Sequence, residues 1–559
     1  MQGDSMPPAT PGRRTGGWQR RGAALAGGLA LVAGLAWVIT AANRPTDPPS
    51  AASSGSSATA PASPTAEVCD NGSMLDGPQQ PPADAVSVST SDNLAQITND
   101  NPPGTTFWLA AGVHELSPTT YAQVHPKDHD TYIGAPGAVL DGRHRNRYAF
   151  GGHAADVTIK YLTIKNFGTS GGNNNEGVVN HNSATGWQMV RNTVRDNAGA
   201  GVMLGSKNVL RENCLAHNGQ YGFSAYHPDG VNDLTLVRNE IAGNNTDDWE
   251  QRRPGCGCSG GGKFWDVDGA VVRGNWVHDN KSAGLWADTN NVGFAFTHNY
   301  FSDNDAEAII YEISYNAVIR DNTFVRNGNV KGPENPGFPT AAIYLSESGS
   351  DSRVPGPYSS KLEVEDNVFK NNWSGVILWE NADRFAGSPA NTSTGASTLV
   401  NPKVTADSCN AKNIDQEPYY SDCRWKTKNV RVHDNRFSFD PDEVGPQCVT
   451  DRGCGYNGIM SNWGTYPDWS PYKGDVIQQR ITFKQGNRFF DNTYSGPWRF
   501  LVRDQDTSIV WSTWRSQPYQ QDAHSTIAAA ASPRGADNCS HKQTKRARCH
   551  PAPSGSSGG

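Results

Sequence analysis

Residues 192–204 read Asn192-Thr193-Val194-Arg195-Asp196-Asn197-Ala198-Gly199-Ala200-Gly201-Val202-Met203-Leu204. Two asparagines bracket a short alternating stretch, and small residues lead into a second one. The same grammar returns at Asn213/Asn218, Asn239/Asn244, Asn275/Asn280, Asn299/Asn304, Asn322/Asn327, Asn367/Asn372 and Asn487/Asn492, with Asn435/Asp440 as a variant copy. Copies start 21 residues apart from Asn192 to Asn213 and 26 apart from Asn213 to Asn239. Longer gaps hold Pro-, Gly- and Cys-rich insertions. Self-similarity at such a period marks a solenoid, whose units stack because none can bury its apolar face alone.

Each unit holds three short alternating segments. Val157 to Ile159 and Val318 to Arg320 are examples of the first, and Trp276 to His278 of the second. The third follows Gly or Ala, as in Gly201 to Leu204, Gly284 to Ala287, Ala308 to Tyr311 and Gly375 to Leu378. Three strands per period make one coil of a parallel β-helix. Period-two alternation sends Val202/Leu204, Leu285/Ala287, Ile309/Tyr311, Ile343/Leu345 and Val376/Leu378 inward. The asparagines are read as turn residues. Asparagine tolerates left-handed dihedrals, and its amide can bond neighbouring coils as a ladder.

Composition agrees with a turn-rich β protein: 59 glycines and only 18% charged residues among 559. A net charge of −7, with the basic cluster Lys542 to Arg548 confined to a tail, argues against nucleic-acid binding.

The repeat resembles the right-handed parallel β-helix, or pectate-lyase-like, superfamily. Ile133 to Gly142 (IGAPGAVLDG) and Gln521 to Ser525 (QDAHS) look like the opening and closing segments of such domains. A closer resemblance covers Gly260 to Asn322. There Gly-Gly-Gly-Lys-Phe-Trp265, Gly-Leu-Trp-Ala-Asp288 and Tyr-Glu-Ile-Ser-Tyr315 fall on successive coils. This trio looks like a subgroup of bacterial exported β-helix proteins of unknown activity. In that subgroup a Trp-Glu pair runs almost directly into the Gly-Gly-Lys stretch; here Gln251 to Ser259 separate Trp249-Glu250 from it. The resemblance implies right-handedness and admits uronate lyase or epimerase chemistry.

Adjacent coils stack at about 4.8 Å, so equivalent outward residues form columns. One column reads Met203, Ser224, Lys263, Trp286, Ile310, Tyr344, Ile377. The next reads Gly205, Tyr226, Trp265, Asp288, Glu312, Ser346, Trp379, and a third includes Asn290, Ser314, Ser348 and Asn381. Asp288 and Glu312 become neighbours. Two carboxylates about 5 Å apart repel by roughly 3 kcal/mol at an effective dielectric near 20, so their proton affinities separate. One acid and one base from neighbours is what a glycosidase needs. Lys263 lies diagonally and would hold Asp288 ionised, leaving Glu312 as the acid.

Around this pair Trp265, Trp286, Tyr344 and Trp379 project outward. Outward rings either stack on flat sugar faces or pack beneath the insertions Thr246 to Gly260 and Asn381 to Lys428. Those insertions wall one face, and Trp249 and Glu250 on one wall join the expected substrate contacts. No cofactor is expected. Asp247, Asp248, Asp288 and Glu312 offer oxygen ligands that would suit Ca²⁺, without a compact loop motif. His227 and His278 read as turn or surface residues.

The ends of the chain set the compartment. Residues 1–21 carry Arg13, Arg14, Arg20 and Arg21 and read as cytoplasmic; 22–42 is an uncharged run long enough to span a bilayer. Its length favours an uncleaved signal anchor, while a cut after Ala42 would release a secreted protein. Residues 43–66 form a Pro/Ser/Thr/Ala-rich disordered linker, 67–525 the β-helix, and 526–559 a disordered tail. In an exported chain the close pairs Cys256/Cys258, Cys409/Cys423, Cys448/Cys454 and Cys539/Cys549 read as disulfide staples, with Cys69 and Cys214 left unassigned.

The expectation is therefore all-β: one solenoid with loop insertions behind a transmembrane helix and linker, monomeric, membrane-anchored or secreted, with a polysaccharide or cell-surface glycan as partner. The activity read from Asp288, Glu312 and Lys263 is glycoside hydrolysis. A lyase or epimerase, and a non-catalytic glycan or cell-wall binder, stand as alternatives.

Overall fold

A computed structural model describes residues 63–528, apart from 65, 170–176, 255, 336–337, 385–399, 402, 449–452, 463, 465 and 504–506. The expected anchor at 22–42, most of the linker, and Cys539 and Cys549 lie outside the described residues. Among those described, no helix is long and apolar enough to cross a membrane.

The described chain winds through three sheets, with 13, 13 and 11 strands. The first runs from Val86–Val88 to Arg488–Phe490, the second from Gly112–Glu115 to Thr526–Ala528. The third runs from Gly177–Val179 to Arg499–Arg503 and ends on the antiparallel strand Ser508–Ile509. From Thr158–Lys160 to Arg499–Arg503 each coil gives one strand to each sheet, as in Val267–Arg273, Trp276–His278 and Leu285–Asp288. All five expected inward pairs are fully buried. Inside the second sheet, Phe301, Phe324, Phe369, Phe437 and Tyr494 stack at centroid spacings of 5.1, 4.9, 4.5 and 5.0 Å. The aromatic ladder repeats at the strand spacing because parallel in-register strands put like on like.

The asparagines are ladders, but their backbone is not the left-handed element. The residue before each one is: Arg191 at φ 58°, Glu212 at 57°, Asp321 at 57° and Asp366 at 53°. The turn made there swings the asparagine inward, where it is buried. Asn213 Oδ1 accepts from Asn192 N at 2.9 Å and from its Nδ2 at 3.1 Å, and Asn192 Nδ2 also donates to Ile159 O at 2.8 Å. Water cannot reach these amides, so each coil's corner depends on the next coil's asparagine.

Register corrects two repeat assignments. Asn492 accepts from Asn435, continuing the first ladder, whereas Asn487 sits one corner earlier and accepts from Val430 N at 3.2 Å. The pair Asn487/Asn492 thus spans different corners from the other pairs. Asp440 leaves the second ladder and caps the helix Pro441–Val444 through Asp442 N at 3.0 Å.

Three of the four expected staples form: Cys256–Cys258, Cys409–Cys423 and Cys448–Cys454. Cys69 pairs with Cys214, 145 residues away. Beside it Glu240 accepts from Val68 N at 2.6 Å and Cys69 N at 2.8 Å. His278, expected in a turn or at the surface, ends the strand Trp276–His278, buried against Glu240 at 3.2 Å and stacked on Trp276.

Candidate functional site

The third sheet carries the candidate site. Strand register pairs Lys263 with Trp286, Trp286 with Ile310, and Ile310 with Tyr344. It also pairs Trp265 with Asp288, Asp288 with Glu312, Glu312 with Ser346, and Ser346 with Trp379. Both central columns stand as the alternation predicts. The third column shifts. Thr289 and Asn290 both take positive φ, and Asn291, not Asn290, bonds to Ser314, which bonds in turn to Ser348. The extra residue in that turn moves the count by one.

Lys263 Nζ lies 2.9 Å from Asp288 Oδ2, and Thr289 Oγ1 donates to Asp288 Oδ1 at 2.8 Å. The same ammonium sits 4.1 Å from the centroid of the Trp286 ring, whose Nε1 donates to Glu312 Oε2 at 3.1 Å. Lysine, indole and both carboxylates form one connected unit. Its members are largely buried, with side-chain exposures of 11% for Lys263, 13% for Asp288 and 5% for Glu312.

Two residues outside the expected set complete it. Arg384, at the end of the 3-10 turn Ala382–Arg384, ion-pairs with Glu312 Oε1 and lies 3.4 Å from Glu347 Oε2. Burial pulls the guanidinium's proton affinity down, against the charge of Asp288. Glu347 is fully buried, and burial pushes its carboxyl up to about 7 despite hydrogen bonds from the Ser346 hydroxyl and Asn381 N–H. Glu312 is therefore not the cation-free acid that the columns imply. The group poised near neutrality is Glu347, behind Arg384. Alternation reads Glu347 as inward, and a charged residue at an inward position is a signal of a buried ionisable group. Arg384 gives no such signal, because an insertion decides where it lands.

The expected aromatic frame divides. Tyr344 and Trp379 are each 9% exposed, and Phe338 packs edge-on against both at 5.5 and 5.6 Å. Neither ring offers a face to a ligand. Trp286 has one face under Lys263 and meets the backbone of Gly257, where an added Cβ would lie 2.7 Å from its ring. Trp265 is half-buried, with Lys263 5.8 Å from its ring, and is the ring best placed for stacking.

The wall residues turn inward to their own loop. Trp249 is 4% exposed beneath Arg252, and Glu250 accepts from Cys258 N and Ser259 Oγ, both at 3.1 Å. Gly257 O accepts from Lys263 Nζ, so this Cys256–Cys258 loop closes over the site. Asp247 pairs with Arg252 at 3.3 Å and precedes the left-handed Asp248; neither joins Asp288 and Glu312. Among the described residues, the group with metal-ligand spacing is Glu363, Glu365 and His433 on the first sheet.

The sequence profile of the family described as "Right handed beta helix region" matches residues 176–356, which include Lys263, Asp288, Glu312 and Glu347. The solenoid is a right-handed parallel β-helix. Solved structures similar to this β-helix include the A-module of the Azotobacter vinelandii mannuronan C-5 epimerase AlgE6, at 13% identity and TM-score 0.34 over 53% of this chain and 86% of that one. Another is the catalytic domain of a GH87 alpha-1,3-glucanase in complex with tetrasaccharides, at 12% and 0.43 over 69% and 65%. A third is XylC with xylose, at 10% and 0.44 over 78% and 82%. No curated protein sequence matches this β-helix significantly.

Proposed function

We propose that this β-helix is an extracellular glycoside hydrolase acting on a polysaccharide, with Asp288 and Glu312 as the reacting pair. The observation that carries the reading is their direct pairing across adjacent strands, with Lys263 2.9 Å from Asp288 and Trp286 bonded to Glu312. Neighbouring strands stand about 4.8 Å apart, close to the roughly 5 Å between the carboxyls of a retaining glycosidase. Lys263 pairs with Asp288 and holds that carboxyl in place for attack or base catalysis. Arg384, shared between Glu312 and Glu347, sets how readily Glu312 takes up and returns a proton. Trp265 is the sugar platform. The N-terminal apolar run exports the domain and tethers it to the membrane, or releases it if cleaved. The protein works as a monomer on glycan, with no cofactor required.

Arg384 also favours a second reading. A uronate lyase or epimerase needs a cation facing the sugar carboxylate, and this site holds two, Lys263 and Arg384.

Purified residues 67–559 incubated with neutral and acidic polysaccharides separate these readings. A hydrolase releases new reducing ends; a lyase gives unsaturated, ultraviolet-absorbing products. Binding with neither product and with an unchanged uronate epimer ratio would leave a glycan binder and end both catalytic readings.

A further inference from the structure

The insertion that brings in Arg384 returns to the solenoid at Lys428, and beside that return lies a cavity of about 500 Å³. Five cationic side chains line it: Arg353, Lys426, Lys428, Arg480 and Lys484. Its two carboxylates are already engaged. Asp422 takes 2.7 and 2.8 Å bonds from Arg353, and Glu417 accepts from the Ser421 hydroxyl at 2.6 Å. Lys428 pairs with Asp351.

Lys426 and Arg480 have no such partner. Lys426 is only 6% exposed, and its Nζ donates to a backbone carbonyl, Tyr420 O, at 3.3 Å. The Arg480 guanidinium lies 4.7 Å from the Tyr420 ring centroid, and its Nε is buried without a hydrogen-bond partner. Among the described residues neither cation has a carboxylate within ion-pair distance. A buried lysine beside like charges gives up its proton unless a counter-ion arrives, and a guanidinium fork fits the paired oxygens of an oxyanion.

We infer that this cavity binds an oxyanion, the carboxylate, sulfate or phosphate of an acidic ligand, through Lys426 and Arg480, both of which lie against the Tyr420 ring. The site is separate from Asp288 and Glu312 and does not rest on the hydrolase reading. Burial, then the charges of Arg424, Arg480 and Lys428, hold Lys426 down at about 6, with Asp422 opposing. Arg424 and Lys428 face it from its own segment, Tyr420 and Asp422 from the helix Tyr419–Asp422, Arg480 from the segment Arg480–Lys484, and Arg353 from across the cavity. An arriving anion restores the proton, so binding near neutral pH takes one up.

The test is calorimetry on the full chain with inorganic phosphate, inorganic sulfate, trigalacturonate and a neutral trisaccharide. The acidic probes should bind and the neutral one should not. Lys426→Met and Arg480→Gln should each weaken binding by about tenfold or more. Lys426→Arg should retain binding but lose the proton uptake read by repeating the titration in buffers of different ionisation enthalpy. Binding of phosphate or sulfate alone identifies a free oxyanion as the ligand. Trigalacturonate binding without either identifies an acidic sugar. Silence from all three acidic probes, or affinity unchanged in both neutralising variants, overturns the site.

Discussion

Trp286 donates its indole N–H to Glu312 at 3.1 Å while its ring supports the Lys263 ammonium at 4.1 Å. The ring links the two halves of the candidate site, each of which holds a carboxylate with its own cation. Trp286→Phe keeps a ring beneath Lys263 and deletes the bond to Glu312. Turnover should fall by about tenfold, the worth of one hydrogen bond to a charged group, with substrate affinity little changed. Steady-state kinetics on the polysaccharide found in the screen checks the split between kcat and KM.

Asp288→Asn and Glu312→Gln are near-isosteric and leave the coil packing in place. Each should cost at least about 100-fold in kcat while binding persists, because each removes a proton-transfer or nucleophilic role. Unchanged turnover in both would remove the site assignment and leave the fold untouched.

Glu347 sets a pH dependence. Its carboxyl stands at about 7 in the folded protein, raised by burial from the ordinary glutamate value of 4.5. Between those values the folded state holds a proton that the unfolded chain releases, so stability falls as pH rises through that window. The burial penalty is fully expressed above about pH 7, on the order of 3 kcal/mol. Glu347→Gln should reduce the slope of the urea midpoint between about pH 4.5 and 7. Glu307, also raised to about 7 by burial, keeps a slope of the same sign in the variant. An unaltered profile in Glu347→Gln would contradict the assignment.

Asn299 stands mid-ladder, accepting from Asn275 N at 2.9 Å and Nδ2 at 3.0 Å and donating to Val272 O at 2.9 Å. Asn299→Ala strands buried donors on Asn275 and should destabilise by about 2–4 kcal/mol. Denaturant titration measures it, and residual activity per folded molecule should match wild type.

Two disulfides should separate stability from function. Cys69→Ser removes a 145-residue closure and should cost about 2–5 kcal/mol, with the site intact. Gly257→Ala should cost only about 1–2 kcal/mol of stability yet depress activity. The added Cβ meets Trp286, and φ of +55° already disfavours a side chain there. Equal effects of both substitutions on kcat would show that the Cys256–Cys258 loop does not shape the site.

Repeat period, strand number per coil and inward pairs are all legible in residues 192–204 and their copies. So is the adjacency of Lys263, Asp288 and Glu312. Strand alternation and stacking are local rules that act identically in every coil, so counting from each asparagine carries them along the chain. Counting fails where a turn holds an extra residue, as at Thr289 and Asn290, and where a corner is skipped, as at Asn487. Backbone dihedrals, not composition, decide those places.

The sequence by itself thus determined the solenoid, its register and the meeting of two carboxylates on one face. Tertiary structure alone decided what surrounds them. It laid Phe338 over Tyr344 and Trp379, closed the Gly257 loop on Lys263, and delivered Arg384 to Glu312. Insertions obey no period. Where they dock depends on burial and ion pairing between residues far apart in the chain, and that information exists only once the coils have stacked.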